Sequence, residues 1–167
     1  MNIDLNIYTD EILHIVNEWE PKLLALPEDA ITEKRNHQNR TVKQLLGHLV
    51  DSASNNHQRM IRLQYNDNLV FPDYTQDNDR WIAIQDYQHA DWKNLVQLWK
   101  SFNLHMIHLI KSIDQSKLDN SWTDFEGNKV TLADMIKGYP WHLNLHINDI
   151  SELIDKDSIE KNKKAQI

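Results

Sequence analysis

The chain has 167 residues, a formal net charge of −7 and no cysteine. This length suits one domain around one core, and without cysteine neither a disulfide nor a thiolate nucleophile is available. Lysines concentrate only in the C-terminal stretch KNKKAQI, which argues against binding nucleic acid through its phosphates. No apolar run approaches the roughly 20 residues of a membrane span, and the N-terminus lacks a signal-peptide pattern. We therefore expect a cytoplasmic protein with no nucleic-acid or membrane partner.

Apolar residues at helical spacing predict two long helices in the first half of the chain. The first covers about 8–26, and Pro21 should bend it or end its first half. The second opens at Thr41, because TVKQ has the capping-box pattern with Gln44 at the third helical position, and it should run to about Tyr65. The polar stretch between the two helices is interpreted as a connection.

The second half begins with the stretch NDNLVFPDYTQDNDRW, which is too polar and too broken to be regular. We interpret it as a long crossover loop, a kind of segment that is often functional. Its aromatic residues Phe71, Tyr74 and Trp81 are available to wall or cover a site.

Two further helices are predicted beyond this loop. The third covers about 86–114. The stretch SWTDFEGNKVT then predicts a small hairpin, because residues alternate around the turn-like EGNK. The fourth helix begins near Thr131. We expect residues 1–157 to form a single helical-bundle domain and 158–167 to form a polar C-terminal tail.

The fourth helix contains the segment GYPWHLNLH, with an unusual combination of backbone and side-chain features. Gly138 and Pro140 should kink or loosen the helix, so irregular backbone is expected from about Lys137 to Trp141. His142 and His146 then follow, four residues apart on one helical face.

Two histidines at this spacing can converge on one metal ion, as they do in H-E-x-x-H zinc sites. Residue 143 is leucine, so the glutamate base of that motif is missing. Taken alone, His142 and His146 are equally well explained as two partly buried histidines that bond to their neighbours.

A third histidine, His48, stands at the border of the apolar stripe on the second helix. Asp51, Asn55 and Arg59 follow along the same edge. Such an edge would line a pocket between helices, although a solvated helix face is the alternative. Three imidazoles with an open position are typical of a catalytic zinc site. Nickel, iron or manganese could occupy it as well, because ligand identity alone discriminates weakly.

Other histidines compete for the same interpretation. His105 and His108 are three residues apart on the third helix and could also pair. His108 falls off the apolar stripe of that helix, which favours a solvated face. His57 is nine residues from His48 and is therefore turned to the opposite face of the second helix.

At these residues the sequence resembles the DinB/YfiT-like superfamily, from about Leu13 to Ile154. The matching pieces are TVKQLLGHLVDSASNN in the second helix, DRW at 79–81, and GYPWHLNLH in the fourth helix. The H-x-x-D pattern that starts at His48 and the Y-x-W-H pattern that ends at His142 are similar to the YfiT branch in particular.

The resemblance implies an all-α, up-up-down-down four-helix bundle with a three-histidine metal site, and it suggests a homodimer. Members of the family include metal-dependent hydrolases and thiol S-transferases that use bacillithiol or mycothiol. The family name refers to DNA damage induction and does not imply DNA binding.

The favoured hypothesis is a metal-dependent enzyme of the DinB/YfiT type that acts on a small molecule. One divalent ion, zinc first and nickel or another transition metal next, would be held by His48, His142 and His146. The ion would activate either water, as in a hydrolase, or a low-molecular-weight thiol, as in an S-transferase. The alternative is a non-catalytic metal-binding bundle with a structural or sensing role.

Four other residues have expected roles near the ion. Asp51 would orient a ligand or accept a proton. Asn55 and Arg59 would contact the substrate, and Trp141 would add an aromatic wall to the site.

Overall fold

A computed structural model describes residues 2–69, 77–124 and 126–164, with the backbone alone for 156–164. Its regular elements are α1 (Leu5–Leu24), α2 (Glu28–Thr32), α3 (Val42–Leu63), α4 (Asn78–Ile84), α5 (Trp92–Lys111), β1 (Ser121–Thr123), β2 (Lys129–Thr131) and α6 (Leu132–Lys164). Strands β1 and β2 pair antiparallel, so the predicted hairpin is confirmed. No helix in the described ranges is long and apolar enough to cross a membrane.

The four long helices α1, α3, α5 and α6 form the bundle. Helices α1 and α3 each pack against both α5 and α6, so they lie diagonally across from one another. The Trp92 indole at the start of α5 donates a 2.9 Å hydrogen bond to the Leu23 carbonyl at the end of α1, which makes these two helices antiparallel. The Asp114 amide, just after α5, donates to the Gln64 side chain just after α3, so α3 and α5 run parallel.

The remaining direction follows from the far end of α3. The Asn120 side chain, which precedes α6, donates a 2.6 Å bond to the Leu63 carbonyl, so α6 runs antiparallel to α3. The predicted four-helix bundle is confirmed. Around the bundle, in the order α6, α1, α5, α3, two helices run up and two run down. Along the chain the order is up, down, down, up.

Side-chain caps fix where the two site-bearing helices begin. At α3 the Thr41 hydroxyl accepts from the Gln44 amide at 3.3 Å, and the Gln44 side chain accepts from the Thr41 amide at 3.0 Å. This is the predicted capping box. At α6 the Thr131 hydroxyl accepts from the Asp134 amide, and the Asp134 carboxylate accepts from the Thr131 amide. These hydrogen bonds therefore fix the residue at which each helix begins.

Several predicted boundaries differ from the structure. The third long helix starts at Trp92 rather than near 86, because Asp86 has a left-handed φ of 50° and the Asp91 side chain caps the Asn94 amide. Helices α2 and α4 lie in segments that were interpreted as irregular. Helix α6 continues to Lys164, so the backbone of the expected polar tail is helical as far as that residue.

The expected break at Pro140 is wrong. The α-helix runs without interruption through Lys137–Trp141, with no π-bulge. Proline removes the hydrogen bond that would reach the Ile136 carbonyl. The buried side chains of Ile136, Leu143 and Ile147 hold the helix against the core on both sides of this gap, and that packing overrides the local preference.

The core contains one tight contact that also positions the candidate site. Gly47, on α3, lies directly beneath the ring of Tyr87, and a Cβ added there would come within 2.2–2.7 Å of three ring atoms. A glycine is required at this position because the aromatic ring occupies the space of a side chain.

We expect Gly47→Ala to lower the free energy of unfolding by about 1–3 kcal/mol, the usual cost of overpacking. Gly138→Ala is the matched control, since nothing lies within 4 Å of its added Cβ. As a glycine replacement inside a helix it should raise stability by up to about 1 kcal/mol. Chemical denaturation of both variants measures the difference, and equal stabilities would contradict the Tyr87 contact.

Candidate metal centre and adjoining pocket

Three histidine side chains meet between α3 and α6. His48 lies two turns into α3, while His142 and His146 lie one turn apart on α6. His48 and His146 are buried, with 3% and 6% of their surface exposed, and His142 is half-buried. The antiparallel packing of the two helices brings residues almost 100 positions apart in sequence into one cluster.

The three rings are close enough to share an ion. Ring centroids are 5.5 Å apart for His48 and His142, and 4.7 Å apart for the other two pairs. One nitrogen from each ring lies within 4.8 Å of the others. Ligands at about 2.0–2.1 Å from one tetrahedral ion lie roughly 3–4 Å apart, so small side-chain rotations close the remaining gap. In the described residues no other group of three potential ligands lies this close together.

Two of the rings are oriented by polar neighbours through Nδ1. His146 Nδ1 lies 3.0 Å from the Asp149 carboxylate, one turn further along α6. His142 Nδ1 lies 3.3 Å from the Ser52 hydroxyl of α3. Outer partners of this type fix the ring orientation and tautomer of metal-binding histidines. Because both Nδ1 atoms are engaged, Nε2 is the nitrogen that remains for an ion.

Burial keeps the cluster neutral. It lowers the pKa of His48 to about 3, with further lowering from the neighbouring His146, His142 and Arg40 charges. It lowers the pKa of His142 to about 4, again with help from His146. Burial also lowers the pKa of His146, although the Asp149 carboxylate opposes this shift. Neutral imidazoles are the form that binds a metal, so the rings are in the right state near pH 7.

Asp51 lies one helical turn beyond His48 and is held by two other residues. Its Oδ1 accepts a 2.7 Å hydrogen bond from the Tyr87 hydroxyl and a 2.6 Å hydrogen bond from the side-chain amide of Gln85. Burial raises the pKa of the Asp51 carboxyl, and these two hydrogen bonds oppose the shift. Asp51 therefore anchors the segment after α4 to α3.

Two buried polar atoms near this anchor have no hydrogen-bond partner in the described part of the chain: His48 Nδ1 and Asp51 Oδ2. These two atoms belong to residues three apart on one helix, and side chains at that spacing are neighbours. If the His48 ring turns so that Nδ1 meets Asp51 Oδ2, its Nε2 is the nitrogen left free, as Nε2 is in His142 and His146.

A concave pocket of about 660 Å³ opens onto the cluster. His48 and His142 form part of its wall, whereas His146 does not line it. Its other lining residues include Ser52, Asn56, Arg59, Trp122, Asp134 and Trp141. The volume is in the range of small-molecule sites, and the mixed apolar and polar lining is typical of them.

The residues expected to contact a substrate do not all line the pocket. Arg59 lines the pocket, with its guanidinium carbon 4.3 Å from the centre of the Trp122 ring. Trp141 lines it too and is 65% exposed. Asn55 is half-buried outside the described lining, where its neighbour Asn56 stands instead.

The crossover segment is described only in part. Phe71 and Tyr74 lie outside the described residues, so their expected role in covering the site stays a prediction. Trp81 lies on α4 and is absent from the described pocket lining.

Sequence reasoning missed three residues around the histidines. Asp149 stands three residues after His146, the same H-x-x-D spacing that drew attention to Asp51, so the pattern was present. Tyr87 and Ser52 gave no such signal, because their contacts with Asp51 and His142 cross between elements.

A model of the DinB superfamily matches residues 16–150. The chain belongs to this superfamily. The resemblance predicted from the histidine motifs is thereby confirmed, and the match includes at least part of every long helix of the bundle.

Two named relatives are similar to this chain over most of its length. A relative from Halalkalibacterium halodurans, named a putative metal-dependent hydrolase, is 24% identical over 151 residues, covering 90% of this chain and 86% of the relative. A relative from Oceanobacillus iheyensis with the same description is 23% identical over 150 residues, covering 83% and 86%.

Solved structures share the fold. YfiT from Bacillus subtilis, described as a probable metal-dependent hydrolase with an unusual four-helix bundle topology, matches with a TM-score of 0.83 and 17% identity, over 94% of this chain and 91% of its own. A mycothiol-dependent maleylpyruvate isomerase matches with a TM-score of 0.72 and 12% identity, over 89% and 61%.

Metal-free protein should lose stability as the pH falls below about 6.5, the ordinary histidine pKa. The folded-state pKa is about 3 for His48 and about 4 for His142, so in this window the unfolded chain binds protons that the folded chain does not. The free energy of unfolding should then fall by up to about 1.4 kcal/mol per pH unit for each histidine.

Denaturation of chelator-treated protein between about pH 7.5 and 4.5 measures this slope. His48→Leu should give a shallower decline than the wild type, while His108→Leu, at an exposed position on α5, should follow it. The same slope in wild type and His48→Leu would contradict a buried neutral His48.

Proposed function

We propose that this member of the DinB superfamily is a metal-dependent enzyme that acts on a small molecule in the pocket beside His48 and His142. His48, His142 and His146 would hold one divalent ion. The observation that carries the proposal is a buried three-nitrogen cluster with a 660 Å³ pocket open to it. A structural zinc site is closed by four protein ligands, whereas a catalytic site keeps a position open.

The ligand atoms favour a borderline transition ion. Three imidazole nitrogens suit zinc, nickel, copper or iron better than magnesium or calcium, which prefer oxygen. Zinc is the first choice, and nickel or another transition ion the next. When bound, such an ion supplies Lewis acidity that lowers the pKa of water to about 7, or that keeps a thiol as its thiolate.

The chain's own residues would set up the site around the ion. Asp149 and Ser52 orient the rings of His146 and His142 through Nδ1. Asp51, held by Tyr87, offers its second oxygen to His48 Nδ1 or to a proton released in the reaction. Burial of the rings excludes water from the ligand side of the centre and strengthens these interactions.

Substrate binding would use the opposite wall of the pocket. Arg59, stacked on Trp122, provides positive charge and an aromatic surface, and Trp141 provides a second aromatic surface at the exposed rim. Asn56 replaces Asn55 as the proposed amide contact, because it lines the pocket. A low-molecular-weight thiol, an electrophile or a hydrolysable ester or amide would each fit this lining.

Two chemistries are consistent with this centre: hydrolysis by water and transfer of a low-molecular-weight thiol. The relatives named above are called putative metal-dependent hydrolases, and one fold neighbour is a mycothiol-dependent isomerase. A purely structural or sensing ion is the competing hypothesis. It would require no substrate, and the pocket beside the ligands would serve no purpose.

We also propose a homodimer and a cytoplasmic location. The dimer proposal is supported by Trp141 and Leu145, which are 65% and 42% exposed and lie one turn apart on α6. The location is consistent with the lack of cysteine in the sequence.

Protein purified without chelators should contain one tightly bound divalent ion per chain. His146→Ala removes a ligand and should weaken binding by more than about 100-fold, beyond the roughly 10–100-fold expected when Asp149→Asn removes an outer partner. His108→Ala, far from the cluster in sequence and exposed, is the control and should bind as the wild type does. Elemental analysis and competition with a chromogenic chelator give the affinities. Equal affinity in wild type and His146→Ala would contradict the ligand set.

The reaction can be assigned with two parallel assays on zinc-loaded and nickel-loaded protein. One assay offers esters and amides in water, and the other offers electrophiles together with several low-molecular-weight thiols. Turnover in either should fall at least about 100-fold in His146→Ala, because a metal contributes several kcal/mol of charge stabilisation. Turnover that needs the thiol assigns the transferase chemistry. A loaded protein that melts at a higher temperature but turns over in neither assay would support the structural hypothesis.

A further inference from the structure

A second pair of histidines lies outside the candidate metal centre. His57 on α3 and His105 on α5 place their Nε2 atoms 3.1 Å apart. Their ring centroids are 5.1 Å apart and the ring planes are tilted by 44°. The two residues are 48 positions apart in sequence, and the parallel packing of α3 on α5 brings them together.

This pair is separate from the cluster of His48, His142 and His146. His57 is nine residues after His48 on the same helix, which corresponds to about 13 Å along the axis and half a turn around it. An ion bound by His57 therefore cannot be the ion bound by His48. Any metal chemistry at the pair is a second event on the opposite side of α3.

The distance between the two nitrogens fits chelation. Two ligand atoms at about 2.0–2.1 Å from a tetrahedral ion are roughly 3–4 Å apart. We propose that His57 and His105 form a second, two-histidine metal site that joins α3 to α5 and binds a borderline divalent transition ion. Water completes the coordination, because no third histidine or carboxylate in the described ranges joins the pair at ligand distance.

Neighbouring rings hold the pair in place. Phe102 meets His57 edge to face, with centroids 5.7 Å apart and planes at 85°. His108 stacks on His105 at 6.2 Å with planes at 26°. Burial, and then the charge of His105, lower the pKa of His57, which favours the neutral ring that a metal needs. The pair is thus largely ordered before an ion arrives.

The ligands define which ions bind. Two imidazoles select copper, nickel and zinc over magnesium and calcium. With two protein ligands in place of three, and with greater exposure to water, this site should be weaker than the buried cluster. It should fill only after that cluster is saturated, and it should tie two helices of the bundle together when it does.

Calorimetric titration of the chelator-treated full chain with zinc tests the proposal. The wild type should show two binding events, the tighter at the buried cluster. His57→Gln and His105→Gln should each keep the tighter event and weaken the second by at least roughly tenfold, the lower bound seen for losing even an outer partner. His14→Gln, an exposed histidine on α1 that touches neither site, is the matched control and should keep both events.

Histidine-ring NMR of the zinc-loaded wild type assigns the second event. Signals of His57 and His105 should move together after the first equivalent of zinc has been added. Circular dichroism of the metal-free variants checks that both are folded. A single event in the wild type would leave an ordinary hydrogen bond between two imidazoles and overturn the site. A second event that persists in both variants would overturn it as well. Neither result depends on whether the buried cluster is catalytic.

Discussion

Three imidazole rings packed into the interface of α3 and α6 impose the main physical constraint on this protein. A buried polar ring must stay uncharged or be paired, because an isolated charge in an apolar interior is very costly. Burial lowers the pKa of all three histidines, and the polar atoms around them are placed accordingly. Three apolar side chains would pack here without this cost. Three neutral ring nitrogens beside an open pocket therefore favour a ligand-binding role over a packing role.

The rest of the bundle positions these rings. Capping boxes at Thr41 and Thr131 set the register of α3 and α6. The missing side chain of Gly47 admits the Tyr87 ring, and the Tyr87 hydroxyl then donates a hydrogen bond to Asp51, which lies one turn beyond His48 on the same helix. A short chain of contacts thus links the crossover segment between α3 and α5 to the candidate metal centre. A side chain at Gly47 would meet the Tyr87 ring and should therefore also shift Asp51, which Tyr87 contacts.

Local signals in the sequence were sufficient for the helices and for part of the site. The apolar stripes predicted the four long helices, the TVKQ pattern predicted the start of α3, and the spacing of His142 and His146 placed both on one face. Helix α4 was missed because its short segment lies in a polar stretch with no clear periodicity. The continuity of the fourth helix at Pro140 was not predicted, because packing on both sides outweighs one lost hydrogen bond and a single sequence does not show packing.

The contacts that cross between helices could not be predicted from the sequence. Nothing in the sequence pairs Ser52 with His142, or His57 with His105, since each pair depends on how α3 lies on its neighbours. Asn56 lines the described pocket and Asn55 does not, because one residue along a helix corresponds to about 100° of rotation. By contrast, His146 and Asp149 have the same H-x-x-D spacing as His48 and Asp51. The sequence alone therefore indicates that the Asp149 carboxylate lies beside the His146 ring.

The central claim is that His48, His142 and His146 share one ion through their Nε2 atoms. Anomalous diffraction at the zinc edge, from crystals of full-length protein loaded with one equivalent of zinc, tests it most directly. The account predicts one anomalous peak between α3 and α6, about 2.0–2.1 Å from a nitrogen of each ring, with His48 Nδ1 turned to the Asp51 carboxylate. A peak elsewhere at one equivalent, or one that any of the three rings fails to reach, would contradict it.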